Sequence, residues 1–151
     1  MKNLFWYRNV RPEEREADLF ATELVMPELF FQPLCDEGKP NFQLIEELAK
    51  LFKSSLTATA IRYMEFCAYT CALVSSQNGQ INMVIGSESF NTRVRGGVRE
   101  GTLDQGTYAS SFTKTPDVGS AAMKKKLARC WLKDQRYADG KIWEQSRNLG
   151  N

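Results

Sequence analysis

Read for its apolar positions, the chain changes period along its length. Between residues 12 and 26, Ala17, Phe20, Ala21, Leu24 and Val25 recur at steps of three and four, which predicts a helix with one apolar face. Pro12 followed by Glu13 and Glu14 supplies its start: a ring pre-set for the first turn, then carboxylates near the positive end of the dipole. Met26-Pro27 supplies its stop, because proline disfavours helical backbone at the residue before it. A loop containing Pro33, Gly38 and Pro40 is expected next. The helical period returns through Leu44, Ile45, Leu48, Ala49, Leu51 and Phe52, and breaks at Lys53-Ser54-Ser55. It resumes through Leu56, Ala60, Ile61 and Met64, with Ser55 as N-cap. Two short helices joined by such a turn make a helix-turn-helix candidate.

From Ala72 the pattern becomes that of strands. ALVSSQ and QINMVIGS flank Asn78-Gly79, and both turn residues tolerate the positive φ of a type I′ hairpin. Gly96, Gly97, Gly101 and Gly106 among short polar runs predict further short strands and loops. AAMKKKLARCWLKDQR predicts an amphipathic helix, with Met123, Leu127, Cys130 and Trp131 on one side and Lys124, Lys125, Lys126, Arg129 and Lys133 elsewhere. KIWEQS predicts a last strand. The expected fold class is α+β: a helical part over 1–70 that includes the helix-turn-helix, then an antiparallel β-rich region over 71–151 with one or two helices.

Composition narrows the function classes. A chain of 151 residues fits one domain or two small units sharing a core, and 42% hydrophobic with 25% charged residues is ordinary for a globular protein. No stretch approaches the roughly 18 apolar residues of a membrane span, and Arg8 and Arg11 leave no room for a signal peptide's apolar core. A cytoplasmic location without a membrane partner is therefore expected. Residues 1–75 carry 8 basic and 11 acidic side chains, a net −3, whereas 76–151 carry 12 and 7, a net +5, so any pull on an anionic partner lies in the second half. Cys35, Cys67, Cys71 and Cys130 read as buried free thiols, with Cys67 and Cys71 four apart in a segment of helical pattern. The absence of histidine removes the usual base for a Ser or Cys nucleophile, and GGVREG lacks the Lys-Ser/Thr of a phosphate-binding loop.

The sharpest chemical pattern is Glu14 with Asp18. Four residues apart on a helix, they share a face, as do the third ligand of some zinc peptidases and the acidic residue that supports a neighbouring histidine. Alone, such a pair also fits a solvated helix face. The surrounding residues extend the likeness. EREADLFATELVMPE resembles the ImmA/IrrE family of zinc-peptidase-like proteins, whose second helix has the form Glu-x-Glu-Ala-(Asn/Asp)-x-Phe-Ala leading into Met-Pro. Glu14, Glu16, Ala17, Asp18, Phe20, Ala21, Leu24, Met26 and Pro27 match it. LIEELAKLFKSSLTATAIRYM is similar to the family's helix-turn-helix-like segment at Leu48, Ala49, Phe52, Ser55 and Arg62, with Lys53-Ser54 in place of Gly-Val. ALVSSQNGQINMVI is similar to the strands that open its sensor-like region.

The resemblance implies a regulator that acts on helix-turn-helix repressors in stress response or mobile-element control, through zinc-dependent peptide hydrolysis with Glu14 as metal ligand and Asp18 behind it. The His-Glu-x-x-His motif precedes this helix in the family, and here no histidine occurs. The expectation is a fragment that starts after that motif and stops short at its C-terminal end, with no catalytic residue of its own and no zinc held by this chain alone. Two further readings stand beside it. As a DNA reader, the second helix of the helix-turn-helix would offer Thr57, Thr59 and Arg62 to base edges, although Arg62 is its only basic residue. As a sensor or protein-interaction module, residues 72–147 would bind a small ligand or a repressor. Lys124, Lys125 and Lys126 with Trp131 could meet nucleic acid or an acidic partner, or form a solvated face.

Overall fold

The computed structural model describes residues 11–113 and 122–149. The chain is α+β, its described residues forming four helices, then a three-stranded sheet of order β1-β2-β3 interrupted by a short fifth helix, then a two-stranded sheet. The described residues fall into two compact units: one comprises those up to Leu73 with Ile85–Ser89, the other Val74–Val84 with those from Phe90 onward.

In the first unit, α1 (Pro12–Val25) starts on its proline and ends where Met26 leaves helical backbone, its N–H still bonded to the Thr22 carbonyl. A helix the sequence pattern misses follows at once. α2 (Glu28–Cys35) covers the predicted loop and carries Pro33 inside it. Proline removes the bond to the carbonyl four residues back and crowds that carbonyl, and here that cost is offset by burial of Phe31 and Cys35. The Glu23 carboxylate accepts the Glu28 N–H at 2.8 Å and so caps the second helix from the first. α3 (Phe42–Phe52) is capped by Asn41, whose side-chain oxygen accepts the Leu44 N–H, and α4 (Leu56–Phe66) by Ser55, whose hydroxyl accepts the Ala58 N–H. Between them Lys53 takes a left-handed backbone (φ 51°) of the kind that usually selects glycine. α2 and α3 both pack on α4. Phe31, wholly buried, lies 5.1 Å from the Phe52 ring and 6.2 Å from Phe66, and its burial contributes about 1.5–3 kcal/mol.

The second unit begins with the expected hairpin. β1 (Ala72–Gln77) and β2 (Gln80–Gly86) are joined by Asn78 (φ 53°) and Gly79 (φ 75°), both in the positive region that a type I′ turn requires. The far ends of both strands belong to the first unit. After α5 (Glu88–Arg93), β3 (Gly101–Thr102) pairs antiparallel with β2.

The predicted amphipathic helix does not form over its described part, residues 122–136; Ala121 lies outside the described residues. β4 (Lys124–Leu127) pairs antiparallel with β5 (Lys141–Glu144) through four residue pairs, followed by a 3-10 turn over Ala128–Cys130. The reason is tertiary. Trp131 is buried with its indole N–H on the Glu144 carboxylate at 3.0 Å, and only the strand pairing brings these together. Glu144 is itself buried, and also accepts the Tyr108 and Ala109 backbone N–H groups at 2.9 and 2.8 Å and the Ser146 hydroxyl at 3.1 Å. Four donors converge on one carboxylate, which satisfies a charge that would otherwise be expensive to bury.

Candidate functional site

Glu14 and Asp18 lie one turn apart on α1, both exposed. Glu14 is held by Arg11, whose guanidinium donates to it at 2.5 Å across solvent-facing side chains. Among the described residues no three His, Cys, Asp or Glu side chains come together to hold a metal. One exposed carboxylate on an arginine, with a second a turn away and no histidine in the chain, is not a donor set for zinc. The residues present do not fit that ion.

The helix carrying them has a second property. No residue of α1 is buried. Its predicted apolar face is in place but uncovered: Phe20 and Leu24 are 67% and 66% exposed, and on the following helix Leu29 and Phe30 are exposed as well. Isolated apolar residues on a surface are ordinary, whereas several large ones exposed on two consecutive helices are more than isolated cases.

The three residues considered for DNA reading part company. Thr57 is exposed on α4, but Thr59 is fully buried, its hydroxyl donating to the Ser55 carbonyl at 2.9 Å and lying 2.6 Å from the Ser54 hydroxyl. Arg62 is only 6% exposed. Its Nε donates to the Met26 carbonyl at 3.2 Å, its Nη1 to Glu65 at 2.6 Å and its Nη2 to Glu23 at 2.5 Å, and its guanidinium lies 4.8 Å from the Phe66 ring centre. The guanidinium fork is spent on tying the end of α1 to α4, which leaves it no reach to a base edge. Glu23, in turn, is held below the usual carboxylate range by the Glu28 N–H and by Arg62.

The lysine run lies on a strand. Lys124 sits 3.9 Å from the Tyr108 ring centre and Lys125 4.9 Å from that of Trp143, while Trp131, considered for stacking, is buried on Glu144. Trp143, 62% exposed, is the aromatic this strand pair displays.

All four cysteines are free. The helical reading of 67–71 does not hold: α4 ends at Phe66, and Cys67 turns out of the helix with ψ 117°. That turn brings the Cys67 and Cys71 sulfurs to 3.4 Å, within S–H···S contact. The bond from Cys71 holds the Cys67 thiol well below its ordinary value, and the same bond, with burial, pushes Cys71 up. Burial pushes Cys35 up to about 12. Sequence reasoning missed the pairing because a spacing of four in a helical pattern leaves side chains merely adjacent on one face; the end of the helix between the two closes the gap.

Comparison of the chain with protein-family models, with curated proteins and with solved structures gives no match.

Proposed function

We propose that this chain is an ImmA/IrrE-like regulatory module that binds helix-turn-helix repressors in the cytoplasm and does not hydrolyse them by itself. The uncovered apolar side of α1 carries this reading. A sequence that places Phe20, Leu24 and Val25 on one helix face yet leaves all three exposed is suited to covering by another helical surface. The likeness of Glu14, Glu16, Ala17, Asp18, Phe20 and Ala21 to the family's second helix supports the family reading. A sequence without histidine, and no metal-holding group among the described residues, support a module that does not hydrolyse by itself.

The test is a binding titration of purified chain against candidate helix-turn-helix repressors, run beside a zinc assay. Binding is expected without cleavage, weakened at least about tenfold when Phe20 and Leu24 are both changed to serine, and indifferent to Glu14→Ala. Both apolar residues are largely exposed, so the fold tolerates their loss. Stoichiometric zinc in the purified chain, together with repressor cleavage abolished by Glu14→Ala, would overturn the non-catalytic reading. Binding unaffected by the paired serine change would overturn the docking face.

A further inference from the structure

The Cys67 and Cys71 thiols are placed by two independent devices. Cys67 is set by the end of α4, whose last turn still takes its N–H onto the Tyr63 carbonyl at 2.9 Å. Cys71 is set by Ser87, a fully buried residue that grips the chain on both sides of the thiol. The Ser87 hydroxyl accepts the Cys71 N–H at 3.3 Å and donates to the Tyr69 carbonyl at 2.7 Å, and the Ser87 N–H donates to the Cys71 carbonyl at 2.9 Å. Met64 closes one side, its sulfur 4.0 Å from that of Cys71. Ala68, Tyr69 and Thr70, which link the two cysteines, are exposed. Two sulfurs held 3.4 Å apart on a fixed helix end and a clamped strand start, with a short surface loop between them, need only a small inward movement to bond. Among the described residues no further Cys, His, Asp or Glu joins them in a metal-holding group, so the donor set suits a bond between two sulfurs better than a zinc centre.

We propose that Cys67 and Cys71 form a reversible dithiol–disulfide couple oxidised by small hydroperoxides. Burial selects the oxidant: Cys67 is only 5% exposed, which favours a molecule of the size of hydrogen peroxide over a bulky disulfide. The Cys67 thiolate attacks one peroxide oxygen, the O–O bond breaks, and hydroxide leaves, giving a sulfenic acid on Cys67. Cys71 then attacks that sulfur. The S–O bond breaks as the S–S bond forms, and the displaced hydroxide takes the Cys71 proton and leaves as water. The two thiols lose two electrons and the peroxide gains them. The hydrogen bond from Cys71 favours the thiolate on Cys67 at the start. Once Cys67 carries no negative charge, the main influence holding the proton on Cys71 is removed, and the second step follows.

The test uses the reduced 151-residue chain and stepped hydrogen peroxide, quenched by alkylation and read by peptide mapping. A Cys67–Cys71 cross-linked peptide is expected, reversed by dithiothreitol, and formed at least about tenfold faster than oxidation of Cys35, whose buried thiol keeps its proton. In Cys71→Ser, dimedone is expected to label Cys67, since the sulfenic acid has no resolving thiol. The proposal is overturned if both thiols of the wild-type chain stay open to alkylation while other residues oxidise. It is equally overturned if Cys67 proceeds to sulfinic acid with no cross-link, or if a folded Cys71→Ser chain takes no dimedone there. The wild-type map decides the matter should Cys71→Ser fail to fold.

Discussion

Replacing Arg62 by alanine takes a buried guanidinium away from three acceptors: Glu23 on α1, the Met26 carbonyl just past its end, and Glu65 on α4. The charge-assisted bond to Glu65, a carboxylate only 12% exposed, contributes about 1.5–3 kcal/mol. The Met26 carbonyl, on a residue 2% exposed, loses this donor, at about 1–2 kcal/mol. Glu23 is half exposed and water replaces the arginine there, so its share stays below about 1 kcal/mol. Together these give a loss of about 2.5–6 kcal/mol, a range that brackets the usual cost of about 3–5 kcal/mol for breaking a buried ion pair by removing one partner. Arg62→Lys retains the charge but not the fork and should cost about half as much. Urea unfolding followed by far-ultraviolet circular dichroism reads the helical unit in which the residue sits. A loss below about 1 kcal/mol for the alanine variant would refute the assignment of Arg62 to the fold and return it to the surface as a candidate DNA contact. Thr57→Ala serves as the control, since its exposed side chain should cost less than about 0.5 kcal/mol.

Three more outcomes are expected. Glu144→Gln presents an amide NH2 where N–H and O–H donors converge and should lower stability by about 2–4 kcal/mol, read by tryptophan fluorescence during urea unfolding; a change under about 1 kcal/mol would mean that the four donors find other partners. Lys53→Gly relieves the left-handed backbone between α3 and α4 and should raise stability by about 0.5–1 kcal/mol, so a lower urea midpoint would contradict the strain argument. Because Glu23 is held below its ordinary value of 4.5, its contribution is present above that pH and is lost as pH falls through the lowered value. Urea midpoints measured from neutral pH downwards should therefore fall more steeply for the wild-type chain than for Glu23→Gln, and parallel curves would count against the ionised Glu23 bridging α1 and α2.

Local rules carried far where a residue's conformation depends on its neighbours in sequence. Pro12 and Met26-Pro27 bounded α1, Ser55 capped α4, and Asn78-Gly79 turned the hairpin, because steric limits on proline and glycine and the reach of a short side chain act within a few residues. They failed where a distant partner decides. Pro33 signals a loop locally, yet burial of Phe31 among Phe52 and Phe66 holds a helix around it. Met123, Leu127, Cys130 and Trp131 recur at helical spacing, yet for Lys124–Leu127 pairing with Lys141–Glu144 prevails.

The site divides along the same line. From sequence alone came the helix that bears Glu14 and Asp18, the expectation of an ImmA/IrrE-like module, and the lack of histidine. Tertiary structure decided the fate of the other candidates: Thr59 and Arg62 went inside, the apolar side of α1 stayed out, and two cysteines four apart came into contact. Spacing along a chain specifies which side chains share a face. Which face is covered, and whether a helix ends between two residues, depends on packing partners far away in sequence, and that is where this protein's exposed apolar patch and its thiol pair originate.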